Sequence, residues 1–406
     1  MRKQKPDPSR QARPGRRRGS PCRFCLDVAA GMTSVYTFHY GPRLVAGDGI
    51  AARLADFLPA GPVLFVTDAA LLGLGLPRQA LAALRKAGHD IIIFDAVEAD
   101  PSAATVVSAV EAGRAGSATC VVGFGGGSPM DVAKLAAYLL GSGDALDAIY
   151  GVDQANGIRL PLALIPTTAG TGSEATPIAI VTVGESEKQG VVSGALVADV
   201  ALLDAGLTVG LPRHVTAATG IDAMVHAIEA YTSARLKNPI SDLLAREALR
   251  LLCSNLLRAC DAPGDLAARQ AMLLGSHLAG VAFSNAPVGG VHALAYPLGG
   301  HFHVPHGHSN ALMLRQVLRH NLPGAAPLYA ELGAVIGADG GAEGFIDALD
   351  VLMRATGLPL GLKALGIGDH HLPLLVSEAM KQQRLLINNP VPISDIDALR
   401  LYRQAS

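Results

Sequence analysis

The pattern of apolar and polar positions changes once along the chain. In the first half, short apolar runs that end in turn residues alternate with stretches of helical periodicity. Strands that alternate with helices in this way indicate a parallel sheet with helices on both faces. The predicted strands are 62–68, 90–94, 119–124 and 160–167, with one or two more within 191–203, and the predicted helices are 77–87, 103–115 and 129–140.

Beyond residue 206 the apolar positions follow helical spacing, and no β-branched alternation remains. The predicted helices there are 215–233, 240–260, 265–282, 309–321, 327–336 and 342–356. We therefore expect an α/β domain over residues 32–206 and an all-helical domain over residues 207–406. The chain has 406 residues, a length that fits two domains, and its apolar half is ample for a large core.

The first 31 residues differ from the rest in charge. They lack the apolar segment of a secretion signal and carry nine Lys or Arg residues against Asp7 and Asp27. We expect them to form a disordered basic tail. An organelle transit peptide is one alternative, and a translation start at Met32 is another.

Composition excludes several classes of function. Charged residues make up 17% of the chain and the net charge is −1, which argues against a nucleic-acid binder. Five cysteines, two of them in the isolated Cys22-x-x-Cys25 pair, are too few for a disulfide framework, so we expect a cytoplasmic protein. No apolar stretch has the length and continuity of a transmembrane helix.

A glycine-rich loop follows the third predicted strand and precedes a predicted helix. The loop runs from Gly125 through Gly126, Gly127 and Ser128 to Pro129. Glycines let the backbone approach a pyrophosphate, and the N–H groups of the first helical turn favour an anion. The loop does not match GxGxxG, so a simple tight turn is the alternative.

A second loop, 166–174, follows the next strand and is rich in threonine, serine and glycine. It is either a surface turn or a second contact to the same cofactor, because parallel-sheet enzymes bind ligands beyond the carboxyl ends of their strands. Asp68 ends the first predicted strand. A carboxylate there would bind an adenosine ribose and repel a 2′-phosphate, which favours NAD over NADP, although Asp68 alone also fits a helix cap.

Two polar residues stand among apolar neighbours in the predicted helix 215–233. Asp222 and His226 are four residues apart, so both project from one helix face. Buried Asp and His side chains need partners, because unpaired burial is costly. They either satisfy each other or bind a metal ion.

A histidine cluster follows downstream, with His292 and His306 in apolar surroundings. One carboxylate with three imidazoles matches a site for Fe(II) or Zn(II), and the absence of a cysteine ligand suits iron. His301, His303 and His308 lie in the same stretch and are rival ligands or proton carriers.

Five segments together resemble one known family. They are 125–129, 166–174, 220–231, 292–307 and the closing Asn388-Asn389-Pro390. In content and order they resemble the iron-containing (group III) alcohol dehydrogenases, from about Tyr36 to Arg403. The resemblance implies a Rossmann-like dinucleotide-binding domain, an all-α metal domain and an active site in the cleft between them. It selects Asp222, His226, His292 and His306 as the metal ligands.

The resemblance also implies the cofactor contacts, which are Asp68, Gly125, Gly126, Gly127, Ser128, Asp131, Thr167, Thr168, Ser173 and Lys188. Two positions depart from the family pattern. Tyr296 stands where many members have a second histidine one turn after His292, and Asp100 replaces an asparagine. We expect His292, Tyr296 and His303 to form the catalytic group, with Tyr296 or His303 assisting proton transfer.

The predicted function is a metal-dependent alcohol dehydrogenase that transfers a hydride between a small alcohol and NAD. A maleylacetate-type reductase is the first alternative, and a lyase of the dehydroquinate synthase type or a non-catalytic nucleotide-binding protein is less favoured. No residue in the sequence indicates a charged substrate, although a hydroxy acid remains an alternative. The family implies a homodimer or higher homo-oligomer.

Overall fold

A computed structural model describes residues 35–184 and 187–406. Its nine strands are β1 Arg43–Ala46, β2 Val63–Val66, β3 Ile91–Phe94, β4 Cys120–Gly125, β5 Gly151–Val152, β6 Leu162–Pro166, β7 Ile178–Val183, β8 Glu187–Val192 and β9 Val200–Leu203. The predicted tail at 1–31 and the Cys22–Cys25 pair lie outside the described residues.

Six strands form a sheet in the order β1-β9-β6-β4-β2-β3, and every pairing in it is parallel. The inner strands β2, β4, β6 and β9 are buried along their whole length, because apolar side chains pack on both faces. The predicted parallel sheet is confirmed. Strands β4 and β6 end side by side, with Gly125 paired to Pro166.

Three short strands make a second sheet in the order β5-β8-β7, which the sequence did not predict. Strands β7 and β8 are antiparallel, and β7 alternates between half-buried and buried positions. Strand β1 was also missed, since this largely exposed edge strand has only four residues and shows no alternation of apolar and polar positions.

Thirteen α-helices are present in the described residues. They are α1 Ala69–Gly73, α2 Arg78–Lys86, α3 Ala103–Ala115, α4 Gly127–Ser142, α5 Arg213–Thr232, α6 Pro239–Asp261, α7 Leu266–Asn285, α8 Gly290–Phe302, α9 His306–Ile336, α10 Gly341–Thr356, α11 Leu372–Met380, α12 Gln383–Leu386 and α13 Asp395–Gln404. The predicted division into an α/β part and a helical part is therefore confirmed. The last strand ends at Leu203 and the first long helix begins at Arg213.

Two helical predictions were wrong in detail. Helix α9 continues through Pro323 and Pro327, where the sequence predicted two separate helices. Each proline removes one backbone hydrogen bond, but burial of Ala325, Tyr329 and Leu332 offsets this loss. Helix α8 was not predicted, because it is apolar on nearly all sides and carries glycines and a proline, so it has no amphipathic period.

Helix α5 lies at the centre of the helical part and packs against α6, α7 and α9. The whole helix is buried except for a few residues in its first two turns. No single helix in the described residues is long and apolar enough to cross a membrane, and α7 and α8 reach that length and hydropathy only as a pair bent by 108°.

Candidate metal centre and cofactor cleft

Four side chains from three helices meet at one point. Asp222 and His226 come from α5, His292 from α8 and His306 from the first turn of α9. Each offers one ligand atom, and these four atoms lie within 4.8 Å of one another. Three of the residues are buried, whereas the His306 side chain is 41% exposed, which leaves the cluster open on that side.

Hydrogen bonds on the far side of two imidazoles orient this cluster. Nδ1 of His292 lies 2.6 Å from Oε2 of Glu229, and Nδ1 of His226 lies 3.3 Å from the Gly170 carbonyl oxygen. If each Nδ1 carries the proton and donates it, Nε2 keeps its lone pair and faces Asp222. A carboxylate or carbonyl behind a histidine is the arrangement that orients metal ligands.

Burial and charge set the protonation states. Burial lowers the pKa of His226 to about 3, although the neighbouring Asp222 opposes this shift. For Asp222 burial acts to raise the pKa, but the three histidines and a hydrogen bond from Asn310 lower it below its ordinary value. At neutral pH His226 is therefore neutral and Asp222 ionised, which are the states that metal binding requires.

The donor atoms of the cluster have a surplus of lone pairs. Nδ2 of Asn310 lies 2.6 Å from Asp222 Oδ1, 3.2 Å from His292 Nε2 and 3.3 Å from His306 Nε2. An amide nitrogen carries two hydrogens, so it cannot satisfy three acceptors at once. The buried Oδ1 of Asn310 also has no hydrogen-bond partner. A divalent cation would satisfy this surplus, so the residues present fit a metal ion.

The rival histidines lie elsewhere. His301 and His303 are exposed at the end of α8, where His303 has a left-handed φ of 53°. Nε2 of His308 lies 2.6 Å from the carbonyl oxygen of Pro359. None of the three joins the four-residue cluster, and His303 is not among the residues that line the adjoining cavity.

The glycine-rich loop closes tightly between β4 and α4. Gly125 has a φ of 151°, and a Cβ there would lie 2.7 Å from Cγ of Pro129. A Cβ on Gly127 would lie 3.0 Å from Cγ2 of Thr171 in the second loop. Helix α4 begins at Gly127, so the free N–H groups of its first turn stand where Gly127 and Ser128 line the cavity.

In the second loop, glycines serve packing against the helical part. A Cβ on Gly170 would lie 2.9 Å from the backbone of Thr219 in α5. Gly172, with a φ of 58°, would place one 2.7 Å from the Cα of Gly280 in α7. This close approach brings the Gly170 carbonyl to His226, so the loop also supports the metal cluster.

The two predicted threonines of this loop have different surroundings. Thr167 is buried, and its N–H donates to the Gly125 carbonyl at 2.9 Å. Thr168 packs across the glycine-rich loop, with Oγ1 3.6 Å from where a Cβ on Gly126 would lie. Thr168 therefore contacts the loop surface, whereas Thr167 joins the ends of the two strands.

A buried lysine, which the sequence analysis missed, holds the two loops together. Nζ of Lys134 donates to Ser173 Oγ at 2.7 Å and to the Ile178 carbonyl at 2.7 Å, and it lies 3.4 Å from Asp131. Asp131 in turn accepts from Ser173 Oγ at 2.6 Å and from the Ile180 N–H at 2.9 Å. Asp131 and Lys134 stand three residues apart on an otherwise apolar helix, a signal that was present in the sequence.

Comparisons with known proteins now decide the family. The model of the iron-containing alcohol dehydrogenases matches residues 41–205, and the model of the C-terminal part of that family matches residues 216–406. A long-chain-alcohol dehydrogenase from Geobacillus thermodenitrificans is 40% identical, over 86% of this chain and 90% of its own. The chain belongs to the iron-containing alcohol dehydrogenase family.

Solved structures agree with this assignment. A 1,3-propanediol oxidoreductase superposes with a TM-score of 0.88 at 32% identity, covering 92% of this chain and 100% of the other. A sulfoacetaldehyde reductase from Bifidobacterium kashiwanohense, solved with NAD+, gives 0.83 at 28% identity, with 92% and 99% covered. As a member of this family the chain is a nicotinamide-dependent alcohol dehydrogenase, an oxidoreductase that interconverts alcohols and carbonyl compounds.

The four-residue cluster and the glycine-rich loop open onto one cavity of about 870 Å³. Its walls include the metal cluster, the first turn of α4, Asp131, Ser173, Lys188 and Tyr296. A volume at the upper end of the range for small-molecule sites accommodates a cofactor together with a substrate. Nζ of Lys188 lies 2.7 Å from Oδ1 of Asp100, so the departure at Asp100 forms an ion pair inside this cavity.

Two further predicted residues differ in position: Tyr296 lines this cavity, whereas Asp68 is not among its lining residues. The ring of Tyr296 is 5.8 Å from that of His306 between centroids, so Tyr296 borders the cluster. Burial raises the pKa of Tyr296, although the charge of Arg384 opposes the shift. Asp68 caps α1 by accepting from the Leu71 N–H at 2.8 Å and stands at the carboxyl end of β2, next to β4.

Proposed function

We propose that Asp222, His226, His292 and His306 hold Fe(II), with Zn(II) as the alternative, and that the adjoining cavity binds NAD beside them. One observation carries the proposal: four donors with surplus lone pairs open onto the same cavity as the glycine-rich loop. The carboxylate and imidazole donors without a thiolate favour iron. The chain would then oxidise a primary or secondary alcohol and reduce the matching aldehyde or ketone.

The chain's own residues prepare this reaction. When bound, the metal would supply Lewis acidity toward an alcohol oxygen, and the nicotinamide would supply a hydride acceptor. Glu229 holds the proton on His292 Nδ1, while Lys134 and Asp131 fix the two loops relative to each other. Tyr296, whose pKa is raised by burial, stays protonated at neutral pH and can donate a hydrogen bond to an oxygen in the cavity. We propose Tyr296 rather than His303 as the residue that assists proton transfer.

The finer assignments are also proposals. Asp68 at the end of β2 supports NAD over NADP, because its carboxylate would repel a 2′-phosphate. The three cysteines of the described residues are unbridged, which supports a reducing, cytoplasmic location. We propose a homodimer on family grounds, which sedimentation would test.

The test is NAD-linked oxidation of an alcohol panel by metal-stripped protein, then by the same protein restored with Fe(II) or Zn(II). The panel spans the compounds named for the relatives, from 1,3-propanediol to long-chain alcohols, and includes sulfoacetaldehyde in the reducing direction. We expect activity only with metal, and none from folded His292→Ala. Equal activity without metal would favour a maleylacetate-type reductase, whereas turnover without net NADH would favour a lyase.

A further inference from the structure

Apolar side chains form part of the cavity wall near the metal cluster, beside the polar Tyr296. Phe283 stacks on His226 with 4.4 Å between ring centroids, and Val288, Ala295 and Leu385 also line the cavity. None of these side chains can hydrogen-bond a hydroxyl or amide. The part of a substrate that lies beside the metal is therefore best accommodated as a methylene chain.

Farther along the cavity wall, two acidic residues have charged or polar partners, whereas two arginines have no carboxylate partner in the described residues. Asp100 is paired with Lys188, and Asp131 accepts hydrogen bonds from Ser173 Oγ, the Ile180 N–H and Lys134 Nζ. Arg235 and Arg384 line the same cavity, yet neither has a carboxylate within 4.0 Å in the described residues. With the acidic residues already satisfied, two positive charges remain for a ligand.

Arg384 is the better placed of the two. It lies on α12, which packs against the metal-binding helix α8. Its guanidinium reaches the small sheet, where it lies 3.7 Å from the position of a Cβ on Gly190. Its charge also acts on Tyr296, whose ring borders His306. Arg384 is therefore an exposed residue of the cavity wall that lies between α8 and the small sheet.

We propose that the preferred substrate is an aliphatic alcohol or aldehyde that carries a carboxylate or sulfonate at its opposite end, and that Arg384 binds this anion. The inference rests on the proposed function and names its substrate class. A guanidinium presents two parallel N–H donors to an oxyanion, which gives both affinity and orientation. The apolar wall accommodates the chain between the two ends.

The cofactor pyrophosphate is the other anion that could meet Arg384. The substrate anion and the cofactor pyrophosphate can be distinguished by which Michaelis constant changes when Arg384 is replaced. Loss of a substrate contact raises KM for the anionic substrate and leaves KM for NADH unchanged. Loss of a phosphate contact raises KM for NADH with every substrate, charged or neutral.

The experiment measures NADH-linked reduction of ω-oxo carboxylates, from 4-oxobutanoate to 8-oxooctanoate, each beside its neutral amide of the same length. We expect at least one acid to exceed its amide in kcat/KM by roughly 10- to 100-fold, since a hydrogen-bonded charge contributes to that extent. Arg384→Gln should remove this preference, so that the acid and the amide of each length are reduced with similar kcat/KM. Arg384→Lys should restore part of it.

Lys381→Gln is the matched control, because it removes the same charge from an exposed residue paired with Glu378 outside the cavity. It should leave the preference intact. Equal rates for every acid and amide pair, or a preference that survives Arg384→Gln, would overturn the inference. A rise in KM for NADH in Arg384→Gln would also overturn it, in favour of the phosphate. Failure of this inference can be distinguished from failure of the proposed function. If neutral aldehydes are reduced without any preference for the acids, only the substrate inference fails, whereas the proposed function fails if no aldehyde is reduced.

Discussion

The proposed metal centre and the two loops proposed to bind the cofactor face one cavity, but they are built in different ways. The metal donors are side chains on helices, and helix α5 alone supplies two of them from a buried position. The cofactor loops offer mainly backbone groups, and side chains behind them, chiefly Lys134 and Asp131, fix their shape. Removal of one donor should therefore abolish metal binding in the first region. Removal of the buried supporting side chains should weaken cofactor binding in the second.

The largest effect is expected from His226→Ala. It removes a donor that no neighbour replaces, so we expect loss of the metal and a fall in kcat/KM of about 10³-fold, since Lewis-acid stabilisation contributes several kcal/mol. Metal content by elemental analysis and steady-state rates measure this. His301→Ala, which changes an exposed histidine outside the four-residue cluster, should change neither. Full activity in His226→Ala would contradict the assignment of the centre.

Lys134→Met tests the other region. The substitution keeps the length of the side chain but leaves the loop acceptors without their donor. We expect the free energy of unfolding to fall by about 3 kcal/mol, as for other broken buried charge networks, and KM for NAD to rise. Urea unfolding and kinetics measure these effects. The metal content of the folded variant should stay normal, and a loss of metal would show that the two regions are not separable.

Glu229→Gln sharpens the comparison within the metal region. Glutamine keeps the shape but removes the charge behind His292, so metal affinity should fall about 10- to 100-fold. Competition with a chelator measures the affinity, and KM for NAD should not change. A variant with unaltered affinity would mean that Glu229 only fills space.

The pH dependence of the free energy of unfolding should also arise from the metal region, through protonation of His226. The pKa of buried His226 is about 3 in the folded chain, below the ordinary value near 6.5, so the unfolded chain binds this proton first. Stability of the metal-free protein is therefore complete above pH 6.5 and falls by about 1.4 kcal/mol per pH unit below it. Urea unfolding from pH 7 to 5 tests this. His226→Asn should reduce the slope, and an identical slope would assign it to other groups.

The smallest effect is expected at Asp68. Asp68→Asn keeps a side-chain oxygen for the cap of α1 but removes the charge. The ratio of kcat/KM for NADP to that for NAD should rise about tenfold, because the repulsion of a 2′-phosphate is lost. An unchanged ratio would locate the cofactor preference elsewhere.

Local spacing explains what the sequence could predict. Asp222 and His226 were identified because residues four apart share a helix face, and Glu229 follows on the same face one turn later. Glu229 could have been found from that spacing. The second loop was predicted to be a surface turn or a second cofactor contact. The packing of its Gly170 and Gly172 against α5 and α7 could not be predicted, because it depends on how distant segments meet.

Other features had no local signal. Helix α8 is buried on nearly every side, so its periodicity was invisible although it carries His292. Arg384 reaches the cavity because α12 packs beside α8, and no local sequence pattern indicates this position. His303 was expected to assist catalysis from its position near His306, but the turn at the end of α8 leaves it exposed and outside the cavity lining.

The most direct test of the central claim is an anomalous-scattering map of crystals grown with Fe(II) and NAD. The account predicts one iron peak with protein ligands from Asp222, His226, His292 and His306, at about 2.0–2.2 Å for the nitrogen and oxygen donors. The nicotinamide should lie in the same cavity. An active enzyme whose metal peak lies at His301, His303 or His308, or is absent, would contradict the account.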